Sequence, residues 1–293
     1  MYKFVESQQA VYPVELLCQT LKVSRSAWYA WCSGMSHQIS SGNRQQEDQV
    51  ITVFNEHRRR YGARRVVAEL QGRGIEIGYH KVRSIMKKYG LKAIQPRSFV
   101  PRTTDSRHSY TISPNLLTDR RFPTKVNEVW VGDLTYIPLH GGQWAYLAIW
   151  MDLYSRRIVG WQLATHMREE LIVAAFKKAL LLRSAEKGMI LHSDRGGQYA
   201  GRVFRKLLAN RKFVQSMSRA DDPYDNAFME SCFSRFKAEL LEGGMFENIE
   251  DADTEIFEYI EMYYNPVRRH SSLQYLSPMN FEAESDRRAA APT

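Results

Sequence analysis

EVWVGDLTYIPL (128–139) is a run of β-branched and aromatic residues closed by Gly141-Gly142, and QWAYLAIWMDL (143–153) and RRIVGWQLA (156–164) repeat the pattern. Runs of this kind bounded by turn residues predict three successive antiparallel strands, a meander. REELIVAAFKKALLLRS (168–184) switches to helical periodicity, MILHSD (189–194) returns to an apolar strand, a helix near 201–211 leads into the short strand FVQSMS (213–218), and helices over 226–241 and about 250–264 follow. The order β-β-β-α-β-α-β-α-α predicts a mixed α/β sheet whose later strands arrive by helical crossovers.

That order is the ribonuclease H-like one, and three acids in it fall where acids are costly. Asp133 lies inside the first strand, Asp194 ends the fourth just before Arg195-Gly196-Gly197, and Glu230 sits one turn into the helix that starts near Asn226. If strands one and four are neighbours, the two aspartates come side by side and Glu230 faces them. Convergent carboxylates repel unless neutralised, and hard divalent cations prefer oxygen ligands. Two such ions about 4 Å apart serve phosphodiester chemistry by activating an attacking oxygen and stabilising a leaving one. His192, just before a strand end, reads as structural, though it is close enough to bind metal or assist proton transfer. Asp152, Asp221, Asp222 and Asp225 are further carboxylates from which spacing and strand context must select.

The chain has 293 residues, and its excess of base is confined to one end. Residues 1–125 hold 21 basic and 9 acidic side chains, net +12, and the remaining 168 hold 20 and 23, net −3. This asymmetry predicts a polyanion-binding front, because clustered Lys and Arg release counterions from nucleic acid. PVELLCQTLKVSRSAWYAWC (13–32) places Leu16, Leu17, Leu21, Ala27 and Trp28 at helical spacing, with Ser24 capping a second short helix, the outline of a helix-turn-helix with Arg25 at its reading end. A second helical unit over 46–95 buries Val66, Val67, Leu70, Val82, Ile85 and Met86 and turns Arg64, Arg65, Lys81, Arg83, Lys87 and Lys88 outward toward DNA phosphates. The expected organisation is a helix-turn-helix region over 1–45, the second unit over 46–95, a basic Pro-containing linker over 96–125, a catalytic core over 126–285 and a tail over 286–293. A core beginning near Lys125 should fold alone. Three scattered cysteines exclude a disulfide framework or zinc site and fit a reducing cytosol, and nothing resembles a signal peptide or membrane span.

Asp133 and Asp194 have 60 residues between them, Asp194 and Glu230 have 35, and Lys237 follows Glu230 by seven. This resembles the DD35E signature of the retroviral integrase core and of insertion-sequence transposases. DLTYI (133–137), HSDRGGQY (192–199), DNAFMESCFSRFKAEL (225–240), YYNPVRRHSSLQYLSP (263–278) and YGARRVVAEL (61–70) resemble the IS-three group of bacterial transposases, downstream-frame (OrfB-like) product, so the resemblance covers nearly the whole chain.

The resemblance implies an α/β ribonuclease H-like core behind an all-α DNA-binding region, with Asp133, Asp194 and Glu230 as catalytic residues and ligands of two Mg2+ ions, Mn2+ substituting. It implies metal-dependent strand cleavage and strand transfer of double-stranded DNA, and recognition of the element's terminal inverted repeats. It further implies Lys237 against DNA, a homo-oligomer on paired ends, an upstream-frame product fused or associated, and a bacterial cytoplasmic location on the nucleoid. One departure is Ser218-Arg219-Ala220-Asp221, where related sequences read Ser-Arg-X-Gly. The added acid leaves a catalytically inactive, transposase-derived DNA-binding protein as the alternative.

Overall fold

In the computed structural model, which describes residues 1–34, 41–96, 110–118, 122–219 and 226–290, the sheet forms where the apolar runs predict it. β1 (Val129–Pro138), β2 (Trp144–Asp152) and β3 (Ile158–Ala164) are the antiparallel meander. Gly141 and Gly142 turn the chain between β1 and β2 with φ of 72° and 75°, conformations that side chains with a Cβ resist. α7 (Glu169–Leu182) crosses over to β4 (Ile190–Ser193), and α8 (Gly197–Ala200) and α9 (Arg202–Arg211) lead to β5 (Val214–Met217). Both β4 and β5 join in parallel, giving the order β3-β2-β1-β4-β5. This is the ribonuclease H-like arrangement.

The sheet is covered on both faces. Val131, Ile137, Leu147 and Ile149 face α10 (Ala227–Leu241) and α11 (Ile249–Phe257), which supply Met229, Phe233, Phe236 and Ile256. On the opposite face Trp130, Trp150 and Val159 pack against Ile172 and Phe176 of α7 and Phe204 of α9. Asn248 caps α11 by accepting from the Asp251 amide at 2.8 Å, and Glu250 and Asp251 suit the positive end of the helix dipole. The single helix expected over 250–264 divides: α11 ends at Phe257 and a π-helical turn, Glu258–Tyr264, continues it. A further helix, α12 (Pro278–Ala290), runs through the break drawn between residues 285 and 286.

Two helical units precede the sheet. α1 (Tyr2–Gln8), α2 (Val14–Thr20) and α3 (Arg25–Cys32) enclose a small core of Val5, Cys18 and Trp28. Ser24 caps α3 as expected, accepting from the Ala27 amide at 3.4 Å, whereas Leu16 is 50% exposed and does not join the core. α4 (Ser41–Glu56), α5 (Ala63–Gly72) and α6 (Tyr79–Lys88) enclose Val50, Phe54, Val66, Leu70, Val82 and Ile85.

This second unit docks on the sheet domain. The Tyr263 ring packs against both cores, and the Arg60 guanidinium lies 4.6 Å from the Tyr263 ring centre while its Nε donates to the Glu239 carbonyl at 3.2 Å. The expected linker also departs from an extended spacer: Leu116 donates its amide to the Ser216 hydroxyl at 2.9 Å and Met217 donates to the Pro114 carbonyl, so residues 113–117 lie along β5. Among the described residues, no helix is long and apolar enough to cross a membrane.

Candidate active site

β1 and β4 pair in parallel through Val129 with Ile190, Trp130 with Leu191 and Val131 with His192. Carried two residues further, this register sets Asp133 opposite Asp194, where β4 has ended and β1 continues. A crevice opens at such a place, beyond the carboxyl end of a strand in an α/β sheet. Asp133 accepts from the Leu134 amide at 2.8 Å and from the Asn226 side-chain amide at 3.0 Å. Asp194 accepts from the Gly196 amide at 3.0 Å, which turns the chain into α8. Glu230 stands exposed in the first turn of α10.

Burial first, then the charge of Asp194, then that of Glu230 push the Asp133 carboxyl well above the usual carboxylate range, although its two hydrogen bonds pull the other way. The three acids therefore repel one another, and a cation would relieve that repulsion. Their all-oxygen donor set suits a hard divalent ion. Among the described residues, however, no three His, Cys, Asp or Glu side chains come close enough to hold one ion. The Asn226 side-chain amide occupies Asp133 Oδ2.

Lys237 lies on the same side of α10 as Glu230, since seven residues make almost two turns. Its ammonium sits 3.8 Å from the centre of the Tyr136 ring, a cation–π contact at the open edge of β1. Burial lowers its pKa to about 8, with Asp133 opposing that shift. The Tyr136 hydroxyl is buried without a hydrogen-bond partner among the described residues, and the Trp144 ring meets Tyr136 edge-on at 5.0 Å. Tyr136, Trp144 and Asn226 were not singled out by sequence reasoning. Tyr136 and Asn226 lie within the words DLTYI and DNAFME, but only the fold brings them to the carboxylates.

His192 is buried, with Nδ1 2.8 Å from the Ser216 hydroxyl and Nε2 3.3 Å from that of Ser218, which ties β4 to β5. Asp152 belongs to a different network: it accepts from the amides of Asn127, Tyr154 and Ser155 near Arg183. Asp221, Asp222 and Asp225 lie outside the described residues.

The basic residues expected to face DNA divide into three kinds. Arg64, Arg83 and Lys87 are exposed. Arg25 pairs with Glu15 at 2.7 Å on the surface, Lys81 donates to Asn43 at 2.9 Å, and Lys88 bonds both oxygens of the nearly buried Glu47 at 2.8 Å. Arg65 corrects the expectation of an outward position: it turns inward and donates to the Arg269 carbonyl at 2.9 Å, joining α5 to the C-terminal segment.

Two different Integrase core domain models match residues 123–223 and 211–278, and an HTH-like domain model matches 42–99. The chain is 36% identical over 284 residues to Transposase InsF for insertion sequence IS3A of Escherichia coli (strain K12), covering 96% of this chain and 98% of that one. It is 38% identical over 235 residues to the transposase for insertion sequence element IS904 of Lactococcus lactis subsp. lactis (strain IL1403), covering 80% and 92%. Among solved structures, the simian T-cell lymphotropic virus intasome in complex with PP2A regulatory subunit B56 gamma gives a TM-score of 0.47 at 13% identity, covering 77% of this chain and 70% of that chain. The fold assignment rests on the strand order and not on that likeness.

Proposed function

The chain belongs to the family of insertion-sequence transposases, with an integrase core behind an HTH-like domain, and from that premise we propose that this DNA transposase works through Asp133, Asp194 and Glu230 as ligands of two Mg2+ ions, Mn2+ substituting. What supports this reading is the parallel pairing of β1 with β4, whose register carried two residues on brings Asp133 opposite Asp194, with Glu230 in the first turn of α10. As a polynucleotidyl transferase it cuts and joins DNA strands; bound cations supply activation of the attacking oxygen and stabilisation of the leaving one.

The chain's own groups then have distinct parts. The three carboxylates hold the ions and form no bond to DNA. Lys237, kept partly out of water on Tyr136, holds the phosphate being cut or its neighbour. The basic first 125 residues recognise the terminal inverted repeats of the element, with Arg25 reading bases and Arg64, Arg83 and Lys87 tracking phosphates. Two copies pair two ends, and an upstream-frame product, fused or associated, adds to the assembly. Nothing observed favours the inactive alternative over this reading.

Asp133→Asn, Asp194→Asn and Glu230→Gln should each lower nicking of a labelled element end by a hundredfold or more, as an order of magnitude, while binding of the same DNA is retained. Near wild-type nicking by any one of them removes that residue from the site.

A further inference from the structure

A cleft of about 290 Å³ lies where the α4–α6 unit meets the sheet domain, between the start of α5 and the side of α10. Arg60, Arg64 and Arg65 line it from the helical unit, and Arg235 lines it from α10. Among the described residues the one acid on its wall, Glu239, is already taken by Arg268, which bonds its two oxygens at 2.7 and 2.5 Å. No other described residue of the wall supplies a counter-charge to its arginines. Half-buried His270 lies in the same surroundings: burial first, then Arg268, Arg65, Arg156 and Arg235, hold it well below the ordinary histidine range.

Arg60 and Arg65 are committed to backbone carbonyls. Arg64 and Arg235 are exposed, and neither makes a hydrogen bond or ion pair to another described residue. Arg235 follows Glu230 by five residues, roughly 140° around the helix at about 100° per residue, so the cleft is on a different face of α10 from the carboxylates. Guanidinium groups brought together from two units fit the spread charge of phosphodiester oxygens.

We propose that this cleft binds the phosphodiester backbone of double-stranded DNA through Arg64 and Arg235, so that one duplex is gripped jointly by the recognition unit and by the helix that carries Glu230. The identity of the polyanion rests on the transposase reading; the site itself rests on the cleft and its arginines.

The full chain should be titrated with a labelled duplex carrying an element end and with a scrambled duplex, at several salt concentrations. Arg64→Ala and Arg235→Ala should each weaken binding several-fold on both duplexes and lower the slope of log affinity against log salt by about one, because a backbone contact is blind to sequence. Arg211→Ala, on the far side of the sheet at the end of α9, should leave the slope unchanged. Slopes for Arg64→Ala and Arg235→Ala that equal the wild-type slope overturn the proposal, even if the carboxylate variants fail to nick DNA. Lowered slopes together with nicking retained in Asp133→Asn would instead sustain the cleft and sink the assignment of Asp133.

Discussion

Arg268 is 1% exposed, and burial on that scale is tolerable only because Glu239 receives its guanidinium on both oxygens while the Tyr259 hydroxyl donates to the same carboxylate at 2.8 Å. Removing one partner leaves the other charge buried and uncompensated, so Glu239→Ala should cost about 3–5 kcal/mol. The double change Glu239→Leu with Arg268→Met should recover most of that loss. Denaturant midpoints of the single and double variants check both statements, and a double variant as unstable as the single one contradicts them. At the catalytic end, Tyr136→Leu removes the ring beneath the Lys237 ammonium. A cation–π contact is worth about 0.5–2 kcal/mol, so the DNA concentration giving half-maximal strand joining should rise a few-fold to roughly thirtyfold, with the maximal rate changed less. An unchanged requirement for DNA means that the ring plays no part in holding Lys237. Lys237 was singled out through the resemblance, which places a basic residue seven after the glutamate, a spacing that stays on one side of a helix. Tyr136 was not, because its partner comes from another element and no periodicity relates them.

Elements were legible to the extent that an apolar pattern built them. The first four strands are hydrophobic runs, and helical crossovers bring the later strands in parallel, but the sequence order left the adjacency of β1 and β4, and with it that of Asp133 and Asp194, as a condition that the sheet order meets. α12 has no such pattern. It is anchored by Glu282, which accepts from Arg157 and Arg183 at 2.7 Å and from Ser155 at 2.7 Å, an ionic attachment that hydrophobic spacing cannot reveal. α1 escaped notice for a related reason: its single buried residue, Val5, is meaningful only beside Cys18 and Trp28. The close fit of α7 on β3 is equally hidden, since it depends on the lack of a side chain. A Cβ at Gly160 would lie 2.4 Å from the Ala175 carbonyl oxygen and 2.7 Å from Ala179 Cβ. Backbone cannot step aside as a side-chain tip can, so Gly160→Ala should push α7 off the sheet at a cost of roughly 1–3 kcal/mol or more. A melting temperature equal to that of the wild type would show that the layer is looser than its contacts imply.

At the scale of the molecule, the net charge of +12 on the first 125 residues and −3 on the rest marked out a recognition front and a catalytic body, but charge says nothing about how the two are joined. The join is aromatic and buried. The His57 ring stacks on that of Tyr61 at 3.7 Å, Tyr61 accepts from the Arg269 amide at 2.7 Å, and Tyr263 lies within hydrogen-bonding reach of His57 Nδ1 at 3.4 Å. A core cut near Lys125 would therefore expose Tyr259, Tyr263 and the carbonyls that Arg60 and Arg65 occupy, and its stability should fall below that of the full chain. The same join makes the molecule sensitive to acid. Burial, aided by Arg73 and Arg269 and opposed by Glu69 and Glu56, lowers the His57 pKa from 6.5 to about 4. Above pH 6.5 the imidazole is neutral whether the chain is folded or not, and it contributes no pH dependence. As pH falls from 6.5 toward 4 the unfolded chain takes up a proton that the folded one refuses, so stability declines across that window. His270 is shifted in the same direction, and its contribution is shared by any variant at position 57. His57→Phe keeps an aromatic ring on Tyr61 but cannot be protonated. Melting temperatures measured from neutrality down to about pH 4 should therefore fall less steeply for His57→Phe than for the wild type. Parallel curves for the two proteins would mean that His57 is reached by protons without loss of the join.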